Sequence, residues 1–343
     1  YYTVIYYLTV FIKNQPYPYN ELTRSSGRFL CPDVIFPILI FFLCMLSFPQ
    51  TVFAGASYGL LLWFRHVLPT LLPYMVLINI LILTPALHWI CHITSPFLCP
   101  LLGTSYYGTF AVLTGFLCGY PMGAKTASDL LDAQKISRSE ASYLLSFCNN
   151  TSPAFILSYV VIQNLKKDSI SIPFLLILTL TPLMMSFVFR LFYRAKDHIH
   201  PFSHMMQVSS STASQSENLS GNYFDRCIMN AFESITKVGG YIMMFSVLIQ
   251  LLASALPDNT ASLLLYSSLE ISTGIRRLAS SALYTSHKII LCAALTSFGG
   301  WCCIAQTYSM ISGNHLPILP YIAEKLVTAL VTSLLISAYI YAI

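Results

Sequence analysis

Two short strings concentrate the polar chemistry of an otherwise apolar chain. Gly119-Tyr120-Pro121-Met122-Gly123-Ala124-Lys125 stops an apolar run that begins at residue 106. Ser146-Phe147-Cys148-Asn149-Asn150-Thr151-Ser152-Pro153 sits inside a second apolar stretch, 137–165. Both put Gly, Pro or Asn where a helix would otherwise continue, and Pro153 removes a backbone donor. A helix that stops inside a bilayer leaves N–H and C=O groups that lipid cannot solvate, so such a break lines a polar cavity or is buried in protein. Where the helix restarts, free N–H groups and the positive dipole end make an anion site. The candidate site residues are therefore Gly119, Tyr120, Pro121, Met122 and Gly123 at the first string, with Lys125 one turn in as a full positive charge. Asn149, Asn150, Thr151 and Ser152 join them at the second. The plainer alternatives are that Lys125 pairs with Asp129 at i+4 and that 149–152 only repair the break.

The pattern recurs. Gly123 and Gly274 share an offset of 151 residues (274 − 123), as do Lys125 and Arg276, and Ser146-Phe147 and Ser297-Phe298. The second half thus supplies Glu270, Ser272, Thr273 and Gly274 at one interruption and Gly299-Gly300 at another. Interrupted hydrophobic segments at matching places in two halves are the best sequence pointer to a transporter's site. Glu270 replaces the glycine that the offset would place there. A carboxylate at that point can bind H⁺ or Na⁺, fix a substrate, or pair with Arg276 or Arg277.

The elements that must position these residues are membrane elements. Charged residues make up 9% of the 343-residue chain and hydrophobic residues 56%, with a mean hydropathy of +0.67, whereas soluble domains carry about 25% charge. The patterning predicts an all-α polytopic membrane protein of two inverted repeats, with re-entrant helical hairpins and broken transmembrane helices. Residues 1–33 read as a polar leader. The first repeat spans 34–193, with a hairpin at 106–134 and a broken helix at 137–165. A cytoplasmic hydrophilic connection covers 194–226. The second repeat covers 227–343, with a hairpin at 260–284 and a broken helix at 287–311. Residues 34–49 read as a retained helix rather than a cleaved signal core, 51–66 as an amphipathic interfacial stretch, 68–90 as a crossing and 317–342 as the last crossing. Three crossings separate the hairpins (137–165, 171–192 and 236–256), which inverts the second against the first. Lys13, Arg24, Arg28, Lys135, Arg138, Arg194, Lys196 and Arg226 then share one side, which the positive-inside rule makes cytoplasmic. Arg65, Lys166, Lys167 and Lys288 face the other.

Other chemistry is weakly represented. The ten cysteines lie mostly in apolar stretches without a C-x-x-C pair, as small hydrophobes. His88, Cys91 and His92 offer a metal edge without a carboxylate, and His198, His200 and His204 lie in the polar connection; both groups read as ordinary residues. No cofactor or metal is expected. No nucleophile–base pair, Walker string or dinucleotide fingerprint occurs, so no enzyme is expected. The net charge of +5 is scattered as topology markers and does not indicate a nucleic-acid partner. The expected partners are a small-molecule anion and the lipid bilayer, and a homo-oligomer is compatible with the sequence.

The strings Gly119-Tyr120-Pro121-Met122-Gly123-Ala124-Lys125 and Ser146 to Pro153 resemble those of the YlbJ-type sporulation integral membrane proteins. That is the stage V group linked to dipicolinic acid transport, within the gate or nucleoside-recognition superfamily and similar in plan to concentrative nucleoside transporters. The resemblance runs from about residue 54 to the C-terminus and is sharpest at 115–156. It implies a carrier that holds its substrate between two hairpin tips and two broken helices. The implied substrate is pyridine-2,6-dicarboxylate, moved across the outer forespore membrane, with Asn149 and Asn150 orienting the ring and Tyr120 stacking on it. The coupling ion, H⁺ or Na⁺, is open. A nucleoside-type or other small-solute carrier of the same fold, or a sporulation scaffold that transports nothing, are the alternatives.

Overall fold

The computed structural model describes residues 32–194, 222–257 and 259–342. Lys13, Arg24, Arg28, Lys196, His198, His200 and His204 lie outside them, as does most of the leader and of the polar connection. The described residues are helical, with no strand. Among the described residues, five helical stretches are long and apolar enough to cross a bilayer: Pro49–Leu83, Asp168–Tyr193, Tyr223–Ala255, Thr285–Asn314 and Ile318–Ala342. The chain is an integral, polytopic membrane protein.

The described residues up to Val52 and those from Phe53 on cluster as separate units. The first contains α1, Pro32–Ser47, whose Phe36, Ile38 and Phe42 are exposed apolar side chains. The second carries the two short helix pairs and the two breaks. Helix α2 (Pro49–Leu62) passes through a π turn, Trp63–Val67, into α3 (Leu68–Leu83). The expected division into an interfacial stretch at 51–66 and a crossing at 68–90 is therefore corrected: one helix runs through and ends at Leu83. Pro69 and Pro73 would each strip a hydrogen bond from the turn before them. The wider π turn lies immediately upstream, and the Thr70 hydroxyl donates to the His66 and Val67 carbonyls at 2.6 and 3.0 Å. Helix α2 approaches the long helix α9 (Asn222–Ala255) closely. A Cβ on Gly55 or Gly59 would stand 2.8 Å from the Cα of Val247 or Met243, the small-xxx-small spacing of membrane helix contacts.

After α4 (Ala86–Leu102) come two short helices, α5 (Gly108–Cys118) and α6 (Met122–Asp132). Eleven residues each make about 16 Å of helix, half of a ~30 Å hydrocarbon core. Helix α7 (Arg138–Cys148) follows, then a gap, a π-helical segment (Phe155–Leu165) and α8 (Ser171–Arg194). The second half repeats the order. Helices α10 (Thr260–Leu269) and α11 (Ile271–Ser280) form a pair; α12 (Thr285–Phe298) and α13 (Gly300–Ile311) make an interrupted helix; α14 (Ile318–Ala342) closes the chain. The neighbours also correspond: α6 packs on α7 and α11 on α12, while α7 packs on α8 and α12 on α14. The residues that end the first arm of each pair, Gly119 and Glu270, carry the same 151-residue offset found in the sequence.

Candidate functional site at the helix breaks

The first tip is pressed against the first break. Gly119 has φ 86° and ψ −170°, backbone that only glycine adopts readily. A Cβ there would lie 2.7 Å from the Ser152 nitrogen. One on Gly123 would lie 3.0 Å from the Asn149 Cα, and one on Gly115 would collide with the Cys148 carbonyl. Pro121 and the buried Met122 open α6, with Met122 N–H donating to the Gly119 carbonyl at 2.8 Å. Tyr120 reaches the other half: its hydroxyl donates to the Ser297 and Phe298 carbonyls at 3.2 and 3.4 Å. It passes where a Cβ on Gly299 would stand 2.8 Å from the ring.

The first break opens backbone that distant side chains then bond. Asn149 is fully buried. Its Nδ2 donates to Thr307 Oγ1 and to the Tyr321 hydroxyl, both at 2.9 Å, and its Oδ1 accepts from Ala124 N–H in the first turn of α6 at 3.3 Å. Asn150 Nδ2 donates to the Phe147 carbonyl at 2.5 Å, and Thr151 Oγ1 to the Thr296 carbonyl at 2.6 Å. Ser152 Oγ accepts from Phe155 N–H at 3.3 Å where the helix restarts. The open carbonyl of Asn149 accepts from the Lys325 ammonium at 3.0 Å, as does Asn150 Oδ1 at 3.0 Å. That ammonium also lies 5.0 Å from the centre of the Tyr120 ring.

Lys325, from α14, is 1% exposed. Among the described residues the ion pairs are Lys125–Asp129 and Lys237–Glu233, so Lys325 faces no carboxylate at ion-pair distance. Its neighbour Glu324 is engaged elsewhere, with Oε1 accepting from the Tyr193 hydroxyl at 2.8 Å. Sequence reasoning missed Lys325, Tyr321 and Thr307. A signal existed for the first: it is an ionisable residue inside a 25-residue apolar helix, which is by default functional.

The second tip is closed on itself. Glu270, 2% exposed, caps α11. Ser272 N–H donates to its Oε1 at 3.0 Å and Thr273 N–H to its Oε2 at 2.7 Å, so its own carboxylate fills the anion position at that helix start. Ala substitution at Glu270 is expected to cost about 1–2 kcal/mol, read as a lower unfolding temperature of the purified protein in detergent. Ser272 is held from outside by the Tyr159 hydroxyl, which donates to its carbonyl at 2.9 Å. Gly274 sits where a Cβ would strike the Ser267 carbonyl. Gly299 and Gly300 both have positive φ, 87° and 83°, and a Cβ on Gly300 would lie 3.0 Å from the Ser268 carbonyl. Tip two therefore abuts break two, as tip one abuts break one.

Lys125 stands apart from the breaks' open carbonyls. Its ammonium bonds Asp129 Oδ2 at 2.7 Å and Asn79 Oδ1 at 3.3 Å, the pairing its i+4 spacing predicts. Arg276 is on the outer side of α11, its guanidinium 6.0 Å from the Tyr58 ring. Among the described residues no three His, Cys, Asp or Glu side chains gather as a metal site; His88 Nδ1 is instead 3.0 Å from the Tyr106 hydroxyl.

Residues 64–166 match the Gate family model, described as nucleoside recognition. That stretch contains the first hairpin and the first break. The chain is 25% identical over 309 residues to the sporulation integral membrane protein YlbJ of Bacillus subtilis (strain 168), covering 82% of this chain and 76% of that protein. No solved structure matches the chain.

Proposed function

We propose that this protein is a carrier for a small organic anion, with pyridine-2,6-dicarboxylate the favoured substrate. The observation that carries the reading is Lys325: a buried ammonium bonded to the open backbone at the first break, without a carboxylate at ion-pair distance among the described residues. An ion buried in low dielectric costs several kcal/mol unless it is paired. An anionic guest relieves that cost, and none is better placed than one entering between Tyr120, Asn149, Asn150 and the α6 N-terminus. Lys325 supplies one full charge, and the dipole end of α6 adds roughly half of one. The two carboxylates of the substrate take these two positions while the ring lies against Tyr120. Lys125, neutralised by Asp129, holds α6 rather than the guest.

In this reading the short helix pairs are re-entrant and the two halves are inverted, so each tip meets a break near the midplane. Alternating access rocks one half against the other around that point. Tyr120, which ties tip one to the carbonyls of break two, must release on opening. The protein moves its solute unchanged, in the outer forespore membrane, with the long polar connection on the cytoplasmic side.

A second reading follows from the Gate match: a neutral ring solute held by Asn149, Asn150 and Tyr321. Uptake into proteoliposomes separates the two. The anion reading expects labelled pyridine-2,6-dicarboxylate to accumulate above protein-free vesicles, with no competition from excess uridine. Uridine uptake without dicarboxylate uptake would reverse the assignment, and equal leakage with and without protein would reject carriage altogether.

A further inference from the structure

Away from the breaks, a cavity of about 460 Å³ opens between α2, the π turn after it, the π-helical segment and α11. Tyr58, Arg65, Tyr159, Gln163, Asn164 and Arg276 line it, and none of its lining residues is acidic. The volume falls within the ~300–1,000 Å³ of small-molecule sites. Among the described residues neither arginine has a carboxylate within ion-pair distance. Asn164 is committed, its Nδ2 donating to the Tyr159 carbonyl at 2.7 Å, which leaves Gln163 as an amide toward the space. Arg276 stands 6.0 Å from the Tyr58 ring centre, a cation–π distance. The cavity also connects to the second tip: the Tyr159 hydroxyl donates to the Ser272 carbonyl, and Arg276 is on the same helix as Ser272 and Thr273.

We infer that this cavity is a second anion-binding site, a vestibule for a small aromatic carboxylate beside the second hairpin tip. Guanidinium groups meet carboxylates through paired, charge-assisted hydrogen bonds. Two guanidiniums within one cavity, with no acid among its lining residues, form a positive potential that concentrates an anion before it reaches the breaks. Tyr58 and Leu62 offer the apolar face that an aromatic ring requires. The vestibule's place on the route rests on the carrier reading; its binding of the anion is separable from it.

Isothermal titration of pyridine-2,6-dicarboxylate into the full chain in detergent tests the site. Lys325→Met removes the charge at the break, so the binding that remains in that chain belongs to the vestibule. Adding Arg276→Gln to Lys325→Met is expected to weaken this remaining binding at least about tenfold, and Arg276→Lys to weaken it less. Gln163→Glu, which brings a negative charge to an exposed position without touching either arginine, gives the same loss by an independent route. Unfolding temperatures confirm that each variant is folded. A Lys325→Met chain that binds no dicarboxylate overturns the inference, as does equal binding with Arg276 intact or replaced. Titration with short-chain phosphatidylglycerol is the lipid arm: if it binds in an Arg276-dependent way and the dicarboxylate does not, the cavity is a headgroup site and the inference falls. Arg276-dependent binding in a protein that transports nothing keeps the vestibule and sinks only the carrier.

Discussion

Replacing Lys325 by methionine is expected to cut anion transport about 10- to 100-fold while leaving the protein folded. Methionine keeps an unbranched stem one heavy atom shorter than lysine's and removes the charge and its donors. Two opposed effects act on stability. The Asn149 carbonyl and Asn150 Oδ1 lose the ammonium they share at 3.0 Å, and a buried group left unsatisfied costs about 1–3 kcal/mol. Against that, the desolvation of an uncompensated buried ion, worth several kcal/mol, disappears. The two nearly cancel, so the unfolding temperature should shift by only a few degrees. Transport has no such offset. A charge-assisted hydrogen bond to a carboxylate contributes about 1.5–3 kcal/mol, and its loss leaves a guest carboxylate in a buried site without its full countercharge. Lys325→Arg keeps the charge, but a planar fork replaces a point donor, so only partial activity should return. Uptake by Lys325→Met within about threefold of the wild type would remove Lys325 from the site. Uridine uptake that survives the same change would favour the neutral-solute reading.

Why this lysine escaped sequence reasoning is itself physical. The interruptions were legible because Gly, Pro and Asn act locally: each changes the backbone at its own position, and the positive φ values of Gly119, Gly299 and Gly300 are what such residues permit. The Lys125–Asp129 pair was legible because four residues make one turn of helix. The all-α membrane fold followed from apolar runs and scarce charge. Lys325 has none of these signatures. Its partners lie 175 and 176 residues away, and no local rule reaches that far; only the cost of a cation in an apolar helix could have marked it. Glu270 shows the converse. Its position at the tip was legible, and it was expected to meet a proton, an ion, a substrate or an arginine. The nearest donors it could use were the N–H groups of Ser272 and Thr273, two and three residues on, and a carboxylate at a helix start takes those first. The expected division at 66–68 does not interrupt Pro49–Leu83, where a π turn lies just before Pro69 and Pro73.

Gly119→Ala is expected to destabilise the protein by at least about 3 kcal/mol. Two independent penalties meet there. The backbone at φ 86° and ψ −170° holds an L-residue at a cost of about 1–3 kcal/mol. The added carbon would also lie 2.7 Å from the Ser152 nitrogen and 3.2 Å from its Cα. The obstacle is main chain, which no rotamer change can move aside, so tip one must lift from break one. Lifting the tip takes with it the Ala124–Asn149 bond and the reach of Tyr120 to the Ser297 carbonyl, and so opens the site on both sides. Gly240→Ala is the matched control: it lies within α9 with nothing inside 4 Å of the added carbon, and should stabilise by about 0.5–1 kcal/mol through helix propensity alone. Thermal unfolding of both variants in one detergent checks the pair. A Gly119→Ala protein as stable as Gly240→Ala would mean that the tip does not close on Ser152, and the contact between hairpin and broken helix on which the site is built would have to be abandoned.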